Sequence, residues 1–167
     1  MVELMITLAI FAILLGIATP SFVTLINNSR LTSNVNGLMA DLMMARSEAA
    51  SRGVRVAVCP AVSNLACSNA AADWSVGRLV FADANGDNVF NAGDTLIRYV
   101  SGITGVSLTP AGFPNVLAIS FSSFGGVAGA SGGTFTLCPP VGNGPEGRLL
   151  TTDMSGRSMA SKIQTCP

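Results

Sequence analysis

Histidine is missing from the 167 residues, tryptophan and tyrosine occur once each, and only 11% of the chain is charged. Without histidine the chain lacks the commonest general base and the commonest zinc ligand. Serines are plentiful, but none has a histidine to activate it, and neither a GxGxxG-type nor a P-loop signature occurs. Asp83 and Asp87 make a poor catalytic carboxylate pair, because both fall in a turn-rich stretch. Neither catalysis nor a small-molecule substrate is expected. Nine basic and nine acidic side chains give a formal net charge of zero. Bulk attraction to nucleic acid is excluded on that balance, which leaves only a local patch. The single Trp and single Tyr offer little for stacking on bases. No CxxC pair occurs among the cysteines, against zinc-ribbon or thioredoxin-like chemistry. There is no internal repeat and no low-complexity linker.

Charge is absent altogether from Leu4 to Ile26, and Arg30 is the first charged residue beyond that run. As a helix at 1.5 Å per residue the run spans about 34 Å, enough for a hydrocarbon core. A cleaved signal peptide, the competing reading, needs basic residues in front, a shorter apolar core and a small-residue cleavage site. No basic residue precedes this run. Glu3 stands at its edge, favoured by the helix N-terminal dipole at an interface or kept to pair with a cation on another subunit. Pro20, inside the run, deletes one helix hydrogen bond and is expected to kink or loosen the helix.

Beyond the run the pattern becomes amphipathic. Leu31, Val35, Leu38, Leu42, Ala45 and Ala49 recur at spacings of three and four, and Asn34, Asp41 and Glu48 lie off that stripe. Gly53 ends the helix. The chain therefore divides into 1–27, the membrane and assembly half of the helix, 28–53, its amphipathic half, and 54–167, a β-rich domain outside the cytoplasm.

Short apolar or alternating segments fill that domain: Val54–Cys59, Arg78–Ala82, Thr95–Val100, Val106–Leu108, Leu117–Phe121, Thr134–Leu137, Arg148–Thr152 and Ser158–Ile163. Gly, Pro and Asn punctuate them. The fold class expected is α+β, a long N-terminal helix packed on two antiparallel sheets. Pro110, Pro114 and the stretch Gly125–Gly133 point to irregular, mobile surface loops. Four cysteines beside an apolar anchor suggest disulfides in an oxidising compartment. Of three pairings, Cys59–Cys67 with Cys138–Cys166 is favoured because each is local; chain-entropy arithmetic assigns them about 2.5 and 3.5 kcal/mol. Four buried free thiols are the alternative.

The loop Asp83–Asp94 places oxygen donors at positions 1, 3, 5, 9 and 12 of a calcium-loop register, with Asp83, Asn85, Asp87 and Asp94 as the candidate ligands. Asn88 stands where such loops carry Gly, and Asp94 where they carry Glu. The other reading is a hairpin loop in which Asp, Asn and Gly make turns.

The order Val2-Glu3-Leu4-Met5, the apolar run, Pro20 and the amphipathic continuation resemble the start of a type IV pilin. Further segments resemble the minor pilin group FimT and the related pseudopilin GspH. These are Arg46-Ser47-Glu48-Ala49, Arg55-Val56-Ala57-Val58-Cys59-Pro60, Trp74, Phe81-Ala82-Asp83-Ala84-Asn85-Gly86-Asp87, Cys138-Pro139 and Ser155-Gly156-Arg157. The resemblance implies a pilin-like fold and a subunit that waits in the inner membrane with its domain in the periplasm. From there it joins a pilus, or alternatively a type II secretion pseudopilus, beside other pilins. It gives Glu3 the task of neutralising a neighbouring subunit's N-terminal amine. It also implies a basic leader, a processed and N-methylated start, and about two mature residues ahead of Met1. Some FimT-like proteins bind DNA for natural transformation through a C-terminal Gly-Arg-x-Arg motif. Here Gly156-Arg157-Ser158-Met159 keeps the first Arg only, so Arg148, Arg157 and Lys162 are the candidate phosphate contacts, with weak affinity and a shallow salt slope.

Overall fold

The computed structural model describes residues 2–68, 74–139, 146–163 and 166; the side chains of 17–21 and 23 lie outside that description. One helix, α1, runs from Val2 to Arg52. Gly53, at φ 67°, closes it by donating to the Ala49 carbonyl at 3.0 Å. That left-handed C-terminal residue is the position where glycine carries no Cβ penalty. The kink expected at Pro20 falls among the side chains outside the description.

Eight strands follow among the described residues: β1 Arg55–Pro60, β2 Gly77–Asp83, β3 Thr95–Ser101, β4 Ser107–Ala111, β5 Ile119–Phe121, β6 Gly133–Cys138, β7 Gly147–Thr152 and β8 Ser158–Ile163. They form two antiparallel four-stranded sheets, ordered β3-β2-β1-β5 and β4-β6-β7-β8. Each expected segment contains or overlaps one strand. Two expectations about the loops need correction. Pro110 lies inside β4, opposite Phe135, rather than in a loop. It is tolerated because β4 is an edge strand, where a missing N–H breaks no ladder. The stretch from Gly125 is pinned, not loose. Ser122 N–H donates to Gly126 O, Val127 N–H to Met154 O and Ala128 N–H to Ser120 O, at 2.7–3.0 Å.

The expected stripe of α1 is the seam of the fold. Leu31, Val35, Leu38, Leu42, Ala45 and Ala49 are all buried, among Val56 and Val58 of β1, Val80 of β2, Phe121 of β5, Phe135 of β6 and Leu150 of β7. Trp74 sits in the same cluster, edge-on to Phe135, with its indole N–H donating to Val116 O at 3.0 Å. β1 and β2 are buried on both faces. Their alternate residues Ala57, Cys59, Leu79 and Phe81 turn away from α1 into a second cluster. The Cys59–Cys67 bridge straps the loop after β1 over that outer face, and Cys138–Cys166 ties the end of β6 to the segment after β8.

Asp41 departs from the expected polar face. It is 1% exposed, and Arg78 of β2 donates to it at 2.5 Å while Arg98 of β3 lies 3.4 Å from its other oxygen. Asp41 is flanked by Leu38, Leu42 and Ala45, so it shares the docked side of the helix. Arg78 follows the parity of Val80 and Ala82 and faces the same side. The pair fixes where along the sheet α1 can dock, because any slide buries an unpaired charge.

Candidate assembly interface

The described large apolar side chains in the first half of α1 stand exposed. Those described between Val2 and Ile26 are 46–71% exposed, and they occur on every side of the helix. A helix apolar all round is stable only when other apolar matter surrounds it. Thr7 adds no polar interruption, because its hydroxyl returns to the Leu4 carbonyl at 2.9 Å. Among the described residues, no helix is long and apolar enough to cross a membrane. The span expected over Leu4–Ile26 takes in 17–21 and 23, whose side chains lie outside the description.

Glu3 is exposed in the first turn of α1. Among the described residues, no cation lies within ion-pair distance of it. The next basic residue along the helix, Arg30, is about 40 Å away at 1.5 Å per residue.

Of the three C-terminal cations, Arg148 and Lys162 are direct cross-strand partners on β7 and β8, and Arg157 stands apart from both. Arg148 is buried; its guanidinium donates to Gly147 O at 2.9 Å and to the Thr32 hydroxyl of α1 at 3.4 Å. That placement corrects the expectation of a surface phosphate contact: Arg148 fastens α1 to the second sheet. Lys162 is exposed and 3.8 Å from Glu146, a solvated pair of little energetic weight. Arg157 precedes β8 at its other end, about 16 Å from Lys162 at strand rise. Its backbone N–H donates to Asp153 Oδ1 at 2.9 Å, and the Ser155 hydroxyl donates to the same oxygen at 2.6 Å. Those bonds, Ser155 foremost, hold the Asp153 carboxyl below its usual range.

In the Asp83–Asp94 loop the carboxylates turn to backbone donors. Asp83 accepts from Gly86 N–H and Asn88 N–H, Asp94 from Ala84 N–H and Asn91 N–H, and Asp87 from Val89 N–H, all within 3.1 Å. Asp87 also accepts from the side-chain amides of Asn85 and Asn91. Among the described residues no group of three or more acidic or cysteine side chains converges on a metal position. Asn88 does take the left-handed conformation, at φ 64°. The Asp-Asn-Gly composition is spent on turns.

The sequence placed Asp41 only on the polar face and gave Arg78, Arg98 and the anchoring Arg46 no role. Arg46 Nε donates to Gly125 O at 3.0 Å and so ties the loop after β5 to the helix.

A long helix, uncovered over its first half and clamped over its second to two antiparallel sheets, is the plan of a pilin-type subunit. The profile of the family described as "Type II transport protein GspH" matches residues 34–156, and the chain belongs to that family, within the type IV pilin superfamily. It is similar to the Pseudomonas aeruginosa type IV minor pilin FimU in two crystal forms. In one, identity is 25% and TM-score 0.63, over 84% of this chain and 97% of that one. In the other, identity is 24% and TM-score 0.62, over 82% and 100%. The minor pseudopilin EpsH of the Vibrio cholerae type 2 secretion system shares the fold at 16% identity and TM-score 0.51, over 81% and 97%. No curated protein matches significantly in sequence. The chain is thus a minor pilin or pseudopilin, a class whose members assemble with other pilins.

Proposed function

We propose that this protein is a structural minor pilin of a type IV pilus machine, anchored in the inner membrane by the front of α1 and inserted into the filament by the same segment. The observation that carries the proposal is the uncovered apolar half of α1 with a lone acid at its start. In lipid, and later among other pilin helices, that surface is buried, and Glu3 is the one charge left to satisfy. A neighbouring subunit's N-terminal amine supplies the complementary charge, and the pair selects the axial stagger more than it adds stability. The division into 1–27, 28–53 and 54–167 belongs to this proposal as its membrane, linking and periplasmic parts. The greater likeness to FimU than to EpsH favours the pilus over the secretion pseudopilus.

Glu3→Ala tests the mechanism. Expected are loss of the subunit from sheared filaments, unchanged membrane level and unchanged thermal unfolding of the β-rich part. Wild-type incorporation of the variant would end the proposal. DNA capture, the second role implied by the resemblance, draws no support from the placement of the cations, since Arg148 is buried and Arg157 stands apart from Lys162. Gel shifts at low salt comparing the wild type with Arg157→Gln decide it. The two are expected to retain DNA equally weakly; a severalfold loss in the variant would restore the DNA role.

A further inference from the structure

The apolar run of α1 ends at Ile26, and Arg30, the first cation, follows about 6 Å further along the axis. Thr32 lies about 9 Å past Ile26 and about 200° around the helix from Arg30. Buried Leu31 falls between the two, so Arg30 and Thr32 stand on opposite flanks of the docked side. The Thr32 hydroxyl accepts from the Arg148 guanidinium at 3.4 Å, which brings the start of β7 to this level. Lys162 is paired directly with Arg148 across β7 and β8, so the two side chains share one face of the sheet. Three cations thus surround this end of the domain. Arg30 and Lys162 are exposed, and Arg148 is 7% exposed.

Their charge is not balanced. Among the described residues neither Arg30 nor Arg148 has a carboxylate within ion-pair distance. Arg148 donates to Gly147 O and the Thr32 hydroxyl, both neutral acceptors. Glu146 is the one described acid at this end, and its contact with Lys162, at 3.8 Å between exposed groups, is loose. The other described acids of the domain stand elsewhere. Asp41 is paired with Arg78 and Glu48 with Arg52. Asp153 caps the β7–β8 turn at the far end of both strands. Asp83 lies opposite Arg55, just past the end of α1, with Asp87 and Asp94 in the loop that follows. A buried guanidinium without a counter-charge is screened little by solvent, so it raises the potential felt by an anion arriving beside it.

We infer that this end of the domain is a docking surface for anionic phospholipid headgroups, with Arg30 on one flank of α1, Lys162 on the other and the charge of Arg148 behind Lys162. The inference rests on the reading of the front of α1 as a membrane anchor. With Ile26 at the edge of the hydrocarbon, a headgroup layer about 5–8 Å deep covers the level of Arg30 and reaches towards that of Thr32. The long stem of Lys162 lets its ammonium extend into that layer. The placement selects a lipid surface over a compact anion. The two exposed cations are separated by the body of a helix about 10 Å wide, so one phosphate reaches only one of them. A plane of headgroups meets both, and each basic side chain at such a plane adds to the attraction for anionic lipid.

The test uses the full chain reconstituted in phosphatidylcholine vesicles carrying a trace of spin-labelled phosphatidylglycerol or spin-labelled phosphatidylcholine. Electron paramagnetic resonance reads the fraction of each lipid held at the protein surface. Expected is a preference for phosphatidylglycerol of at least about twofold at low salt. It falls to parity in 1 M salt, where charges are screened beyond about 3 Å. Arg30→Gln combined with Lys162→Gln brings it to parity with an unchanged melting temperature, whereas Arg157→Gln, at the far end of β8, retains it. Excess inorganic phosphate at constant ionic strength leaves it unchanged. Persistence of the preference in the double variant overturns the inference. Equal loss in Arg157→Gln assigns the preference to net charge, and displacement by phosphate assigns it to a free-anion site; either result overturns the headgroup surface. Lipid held at the surface without any preference overturns that surface and leaves the anchor standing. No held lipid of either kind overturns the anchor and this inference with it.

Discussion

Removing the Asp41 carboxylate is the most demanding test of how α1 is held. Asp41→Ala leaves Arg78, 5% exposed, as a buried guanidinium with its carboxylate gone. Breaking such a pair from one side costs about 3–5 kcal/mol, because the surviving charge is stranded in low dielectric. Arg98 contributes little by itself: its side chain is 52% exposed, so Arg98→Ala is expected to cost about 0–1 kcal/mol. The informative partner experiment removes both buried charges together. Asp41→Leu with Arg78→Met exchanges a desolvated pair for apolar contact and is expected to be close to neutral or more stable. Urea unfolding of the full chain in micelles reads these differences through Trp74, the only tryptophan, whose ring is packed against Phe135. An Asp41→Ala loss below about 1 kcal/mol, or a double variant as unstable as the single, would refute the account of a pair that costs stability when broken but adds little when intact.

Replacing Cys138 and Cys166 with Ala opens a loop of 28 residues in sequence separation and should cost about 3.5 kcal/mol by chain entropy. The Cys59–Cys67 loop, at separation 8, should cost about 1 kcal/mol less. Denaturant midpoints of the two double-alanine proteins, with unchanged slopes, check both values and their order. Asp153 should protonate below the ordinary carboxylate range in a carbon-detected NMR titration. Its folded pKa is depressed by the Ser155 hydroxyl and the Arg157 amide, so the stabilisation it lends the β7–β8 turn is present above the unfolded pKa and fades as pH falls through the folded one. Ser155→Ala should move that titration back upward, and an unmoved curve would deny the hydroxyl its role.

Much of the fold follows from local periodicity. The three-and-four spacing from Leu31 to Ala49 marks the buried side of α1, and Gly53 marks its end, because helical geometry relates near neighbours in the chain. The eight strand positions are legible for the same reason, from short apolar runs between Gly, Pro and Asn. So is the apolar, acid-headed start of α1 on which the proposed assembly surface rests. What those patterns leave open is which way a charged residue faces. In β7 the neighbours Leu149 and Leu150 are both apolar, so alternation assigns Arg148 to neither face. Pairing with β6 turns Leu150 inward, and Arg148 with it, against Thr32, 116 residues distant in sequence. In β2 an unbroken apolar run reads the same on either face, so Arg78 carries no local sign that it will meet Asp41, 37 residues away. The ion pair and the buried Arg148 depend on two sheets closing around one helix. They are properties of tertiary structure because each joins groups that no short-range rule relates.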